Sequence, residues 1–335
     1  MRGFELRICR IHSAGLRHPT SSFQPPSSGA STVEITPRIH SIPAPEAFYT
    51  GPQAPNVFLV TDGGEGALID SGFGDEQSLR ARLEYLRERP DVKVRYIILT
   101  HHHFDHTSGA HRLRQATSAQ VVMHPQEERF LRDWQSDAPQ DLDIPPDQQA
   151  VVEQVRRFRQ QAAEAVPVLP VTDGAVLAVG GLSLEVLHTP GHTLGSICVY
   201  IRGERALFTG DTALGLGTVA ISPPPYGDMA LYLQSLERLK GLDASLMLPG
   251  HGRPVEDVAR KLQELIDHRH EREEQVLRLL AGGKTTPRAM LGAIYPELDR
   301  RILPMALRQI EAHLAKLQDE GRAEPAAAPG EWRLA

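Results

Sequence analysis

Thr100-His101-His102-His103-Phe104-Asp105-His106 directly follows the apolar run from Val94 to Leu99. Packing has no use for His101, His103, Asp105 and His106 within six positions at the end of what reads as a buried strand, so the stretch is a candidate metal centre. Alternate residues oppose one another only in a regular strand. His101 and His103 therefore converge if the chain curls after Thr100, and Asp105 and His106 then stand at a helix start.

Upstream, 56–61 and 65–71 predict a hairpin turned by Asp62-Gly63-Gly64 and ending in Leu68-Ile69-Asp70-Ser71-Gly72. Asp75 caps a predicted helix over 76–89, in which Leu79, Leu83 and Leu86 recur at helical spacing before Pro90 stops it. Downstream, the pattern predicts a helix over 105–114, a strand over 120–124 and a helix over 126–134. An acidic, Pro-rich exposed loop over 136–149, bordering the substrate entrance, precedes a helix over 151–164. Further strands are predicted over 176–179, 182–188, 197–201, 205–209 and 245–248, with a helix over 229–240 capped by Asp228. Leu182, Leu184 and Val186 alternate as a half-buried strand does. Two strand-rich halves with intervening helices imply two sheets packed face to face with helices outside.

Other candidate ligands also sit at strand ends: His192 in Thr189-Pro190-Gly191-His192-Thr193, Asp211 in Thr209-Gly210-Asp211-Thr212, and His251 in Pro249-Gly250-His251-Gly252. The set supplies five imidazoles and two carboxylates, enough for two adjacent divalent ions with one carboxylate bridging. Nitrogen and oxygen donors suit Zn2+, with iron or manganese as alternatives. His102, His111, His124 and His188 read as solvated, capping or supporting residues.

Composition bounds the alternatives. A chain of 335 residues, 41% hydrophobic, suffices for one large domain and a small one. A net charge of −6 and a pI near 6.2 offer no overall attraction to nucleic acid or an anionic membrane, which favours a small substrate. Cys9 and Cys198 supply neither a disulfide framework nor a thiolate cluster, so a reducing compartment fits. No apolar run approaches the length that spans a bilayer, so no membrane partner is expected. Residues 1–32 are Arg- and Ser-rich with only Glu5 acidic, and read as a disordered tail, a mis-called start or a leader. A tail leaves the protein cytoplasmic; a transit peptide would send it to the mitochondrial matrix, although Pro19, Pro25 and Pro26 oppose a long amphipathic helix.

The pattern His-x-His-x-Asp-His at 101–106, with His192, Asp211 and His251 in order, resembles the metallo-β-lactamase superfamily over about residues 35 to 255. The resemblance implies an α/β fold, the αββα sandwich, with metals at one edge. It implies that His101, His103 and His192 hold one ion, that Asp105, His106 and His251 hold the other, and that Asp211 bridges them. Asp70 matches the first motif, which implies hydrogen-bonded support of the metal ligands rather than coordination. Asn56, Gly215-Leu216-Gly217-Thr218 and His268-Arg269-x-x-Arg272-Glu273 are similar to the lactamase-β-like protein 2 family, which implies a small C-terminal winged-helix domain. Segments 271–280, 287–294 and 302–320 fit its three helices, and 322–335, turned near Pro329-Gly330, fits the wing. The expected division is a tail or leader over 1–32, a catalytic domain over 33–255, and a linking helix with the winged-helix domain over 256–335.

The implied activity is that of a metal-dependent hydrolase. Two cations would lower the pKa of a bridging water to give hydroxide near neutral pH. Asp105 would accept the proton, and Tyr226 in Pro223-Pro224-Pro225-Tyr226-Gly227 is a candidate donor to the leaving group, with a lid or packing role as its other readings. Members of the resembled family include an animal endoribonuclease acting on single-stranded RNA and fungal thioesterases that release acyl chains from a carrier protein, so the family leaves the substrate open. The acidic charge and short loops favour an ester or thioester of a small molecule or acyl carrier. Endoribonuclease action is the alternative, opposed by a C-terminal region that is not a basic stripe: residues 269–335 hold 11 Lys and Arg against 10 Asp and Glu. A winged-helix DNA-binding regulator is the third reading, and the complete ligand set argues against it. The leucines of the helical segment 255–280 need a packing partner, either within the chain or in a homodimer.

Overall fold

The computed structural model describes residues 33–42, 54–135, 149–296, 298 and 302–335. The tail or leader expected over 1–32 lies outside the described residues, as does the loop expected over 136–149 except for Gln149, which opens a helix. The first sheet runs in chain order: β1 (Val33–Thr36), β2 (Ile39–Ser41), β3 (Phe58–Asp62), β4 (Glu65–Ile69), β5 (Lys93–Ile98), β6 (Gln120–Met123) and β7 (Leu169–Pro170). Its strands are antiparallel up to β4 and parallel from there on. β1, β2 and β7 are additions to the predicted strands; β2 and β7 span three and two residues, too short to display a period. The predicted hairpin joins β3 to β4. Gly63 and Gly64 both hold positive φ (57° and 80°), as a two-residue turn matching the strand twist requires.

Helices α1 (Glu76–Arg87), α2 (Phe104–Thr107), α3 (Ala110–Thr117), α4 (Pro125–Arg132) and α5 (Gln149–Ala163) accompany this sheet. The second sheet comprises β8 (Val176–Val179), β9 (Leu182–His188), β10 (Ile197–Ile201), β11 (Ala206–Gly210) and β12 (Leu246–Pro249), in the spatial order β12-β11-β10-β9-β8. Helices α6 (Met229–Lys240) and α7 (Val258–Ala281) lie on its outer side. The chain ends in α8 (Pro287–Ile294), α9 (Leu303–Asp319) and the antiparallel hairpin of β13 (Ala323–Pro325) and β14 (Trp332–Leu334), which is the predicted wing.

Strand alternation sorts the core into layers. Phe58 and Val60 of β3 point between the sheets, where they join Val186, Val199 and Phe208; the Phe58 and Phe208 rings meet edge to face at 5.4 Å. Leu59, between them in sequence, faces Leu79 and Leu113 on the helical side. On the far sheet, Leu187, Leu207 and Met247 face Leu236, Leu239 and Leu262. This is the αββα sandwich, and each such buried aliphatic or aromatic side chain contributes about 1.5–3 kcal/mol.

Two local results bear on the site. The single helix expected over 105–114 is two helices, because Gly109 is held against the turn that follows β4. Its N–H donates to Gly72 O at 3.0 Å, and a Cβ there would stand 2.6 Å from Ser71 O. The ligand-bearing turn α2 is thereby pinned to the segment containing Asp70. Helix α7 settles where its leucines pack: Leu262, Leu265 and Ile266 bury against α6 and the second sheet, while Val276 and Leu280 enter the winged-helix core with Met290, Ile310 and Leu314. These side chains are covered within the chain.

Candidate metal centre

The segments after β4, β5, β9, β11 and β12 meet at one edge of the sandwich and bring together all seven predicted ligands. His101 and His103 do converge as the chain curls: Nε2 of His101 lies 2.9 Å from Nδ1 of His103, which lies 3.0 Å from Nε2 of His192. Beside this trio, Nε2 of His106 is 3.1 Å from Nε2 of His251 and 3.6 Å from Asp105 Oδ2, and His251 Nε2 is 3.2 Å from the same oxygen. Asp211 faces both groups, at 3.5 Å from His106, 3.6 Å from His251 and 3.9 Å from His192.

Hydrogen bonds fix which nitrogen each ring presents. A carbonyl only accepts, so Nδ1 of His192 donates to Ala220 O at 2.9 Å and leaves the Nε2 lone pair facing the cluster. Nδ1 of His106 donates to Asp70 Oδ2 at 2.8 Å. The Thr100 hydroxyl donates to Asp70 at 3.0 Å and accepts from Nδ1 of His101, also at 3.0 Å. Asp70 therefore orients two of the imidazoles, one directly and one through Thr100, and it also receives the Thr100 N–H at 2.8 Å.

The two halves differ in charge. Burial first, then the adjacent imidazoles, hold His101 and His103 well below the ordinary histidine range. Burial also lowers His192, so that trio presents neutral nitrogens. In the other half burial opposes protonation, but Asp105, Asp211 and Asp70 outweigh it and lift His106 to about 10. Asp211 and Asp105 likewise raise His251 against burial. Burial would raise the Asp105 carboxyl, yet His106 and His251 hold it well below the usual carboxylate range. Lone pairs facing one another, carboxylates massed beside them and a buried Asp211 Oδ1 with no hydrogen-bond partner among the described residues fit a pair of divalent cations. Gly250 makes room, since a Cβ there would lie 2.5 Å from Asp211 Oδ1.

Residues outside the predicted set complete the site. Glu127, fully buried on α4, accepts from His102 N at 2.8 Å and Gly195 N at 2.7 Å and pairs with the His102 ring, tying the 101–106 segment to the His192 segment. In the sequence it looks like any acidic residue in a first helical turn. The Asn56 amide donates to Pro249 O and Gly252 O, both at 2.8 Å, and so clamps the turn bearing His251. His102 stacks on Phe130 at 4.4 Å, forming an aromatic wall beside His103. Tyr226 stands at its outer end, 47% exposed and 6.4 Å from Phe130 between centroids. Its ring contact is with Phe130, at the edge of the His102 stack. His124 caps α4 and stacks on His188, and His111 bonds Glu164 O, the supporting roles expected of them.

Known proteins resemble the chain in sequence and in fold. Residues 50–251 match the model of the metallo-beta-lactamase superfamily, and residues 286–332 match that of the beta-lactamase associated winged helix domain. The atrochrysone carboxyl ACP thioesterase of Aspergillus fumigatus is 30% identical over 268 residues, covering 73% of this chain and 70% of that protein. The beta-lactamase-like protein 2 homolog of Caenorhabditis elegans is 26% identical over 273 residues, 81% of each chain. A metallo-beta-lactamase family protein from Thermus thermophilus superposes with a TM-score of 0.73 at 28% identity, covering 90% of this chain and 100% of that one. With the sandwich, the convergent His/Asp cluster and the C-terminal wing in place, the chain belongs to the metallo-beta-lactamase superfamily of hydrolases, alongside the relatives named beta-lactamase-like protein 2 and their winged helix.

Proposed function

We propose that the protein hydrolyses an ester or thioester of a small molecule or acyl carrier with two divalent ions, Zn2+ foremost and iron or manganese as alternatives. The observation that carries this reading is Asp211, which faces the imidazole trio at 3.9 Å and the acidic cluster at 3.5–3.6 Å, as a carboxylate shared by two ions must. His101, His103 and His192 would hold one ion, and Asp105, His106 and His251 the other. Such a pair, when bound, acidifies a water and polarises the substrate carbonyl. The chain's own residues then orient and move protons. Asp70 and Thr100 keep the ligand rings turned inward, and the ionised Asp105 carboxylate accepts the proton. The exposed Tyr226 hydroxyl donates to the leaving group.

The substrate choice rests on three supports. The wall of His102, Phe130 and Tyr226 suits an apolar acyl group. One relative is a carrier-protein thioesterase. In the winged-helix region Lys316, Arg322 and Arg333 each pair with a carboxylate, and with 11 Lys and Arg against 10 Asp and Glu over 269–335 the region is not the basic stripe that a phosphate chain favours. No helix among the described residues is long and apolar enough to cross a membrane, and a cytoplasmic enzyme is the proposal for its compartment. The test is one competitive assay of metal-loaded protein on acyl-thioester, lactone and single-stranded RNA, beside Asp105→Ala. Thioester or lactone turnover that vanishes in the variant supports the reading. RNA cleavage that vanishes with Asp105 replaces it with an endoribonuclease.

A further inference from the structure

Among the described residues Arg269 has no carboxylate partner, yet it is 0% exposed in the middle of α7, where that helix passes from the catalytic core to the winged helix. A guanidinium is expensive to bury, so what it bonds is informative. Its Nη2 donates to Val219 O at 2.6 Å, and its charge lies over the Tyr232 ring, 5.2 Å from the centroid. Both contacts support the segment carrying His192. The carbonyl after Val219, that of Ala220, receives Nδ1 of His192. Tyr232 is the surface against which the residue before His192 closes, since a Cβ on Gly191 would stand 2.3 Å from the Tyr232 Cα.

We infer that Arg269 is a positioning residue for the metal ligand His192. By holding the Val219 carbonyl it fixes the next one, which sets the tautomer and the angle of the ring. The helix leading to the winged-helix domain is therefore part of the metal site's support. This rests on His192 being a ligand, as proposed above. Outer partners of ligating histidines typically change metal affinity about 10–100-fold, and a partner one peptide further out belongs at the lower end, about tenfold.

The test uses the full chain, stripped of metal and titrated with Zn2+ against a competing chelator, for wild type, Arg269→Met and Arg269→Lys. Met keeps the bulk without the charge, a replacement buried sites often accept; Lys keeps a donor on a flexible stem. Expected is about tenfold weaker binding of one ion in Arg269→Met, the other ion unchanged, with partial recovery in Arg269→Lys. A folded Arg269→Met that binds both ions as wild type does overturns the inference, as does equal weakening of both ions, the mark of a general structural defect. If Arg269→Met does not fold, Arg269→Gln, too short to reach Val219 O, is read by the same two outcomes. A wild type that binds fewer than two ions instead defeats the metal assignment itself, so the two failures are distinguishable.

Discussion

The carboxylate of Asp70 lies 2.8 Å from Nδ1 of His106 while also receiving the Thr100 hydroxyl that holds His101, so one buried side chain sets the direction of a ring in each half of the cluster. Asp70→Asn keeps the left-handed backbone (φ 61°), which Asn tolerates, but offers a single acceptor oxygen where three donors converge. Affinity for both ions should fall about 10–100-fold by chelator competition, with little change in fold by circular dichroism. Unchanged affinity would remove Asp70 from the support of the site.

Glu127 yields a prediction with a pH signature. Burial would raise its carboxyl, but the His102 ring, then the His102 N–H, outweigh this and hold it below the ordinary value. A group depressed in the folded state contributes stability above its unfolded pKa, about 4.3, and loses it as pH falls through the lower folded value. Glu127→Gln should therefore cost about 2 kcal/mol near pH 7 in denaturant titrations, and the gap to wild type should narrow below about pH 4. A gap that stays constant with pH would show that the ionised carboxylate is not what binds the two segments.

His251 belongs to the acidic half alone, 3.1 Å from His106 and 3.2 Å from Asp105. His251→Ala should lower the metal content from two ions towards one per chain by elemental analysis. Retention of two would refute its role as a ligand.

The aromatic wall predicts selectivity. Phe130→Ala removes the surface on which His102 stacks and beside which Tyr226 stands, and leaves every predicted ligand in place. Turnover of thioesters with long or aromatic acyl groups should fall about tenfold in kcat/KM, equivalent to about 1.4 kcal/mol, with little change for an acetyl thioester. An equal loss on both would assign Phe130 to the stability of the 101–106 segment.

How much of this was legible in the sequence follows from what each residue does. The clustered imidazoles and carboxylates could be read because such groups at strand ends serve no packing purpose, and the sandwich because the apolar runs of β3 and β4 and the alternation in β9 survive in the order of residues. Of the residues that aim the imidazoles, Asp70 is legible through the resemblance, and the others are not. Glu127 reaches Gly195 across 68 positions and Asn56 reaches Gly252 across 196, separations that leave no local pattern. Arg269 shows no role in its own neighbourhood, because its partner is a backbone carbonyl 50 positions away. The break at Gly109 was invisible for the same reason: its cause is the turn at Gly72, brought against it only in the folded chain.

The most direct test of Asp211 as a carboxylate shared by two ions is to measure ions per chain and thioester turnover on the same preparations of wild type and Asp211→Ala, before chelation, after it, and after metal is restored. Asp211 faces both halves of the cluster, so about two ions are expected per wild-type chain, with activity lost on chelation and regained on reloading. Asp211→Ala should show depleted metal and nearly no turnover under any condition. Wild-type activity that survives chelation, or an Asp211→Ala protein that keeps two ions and full turnover, would contradict that role.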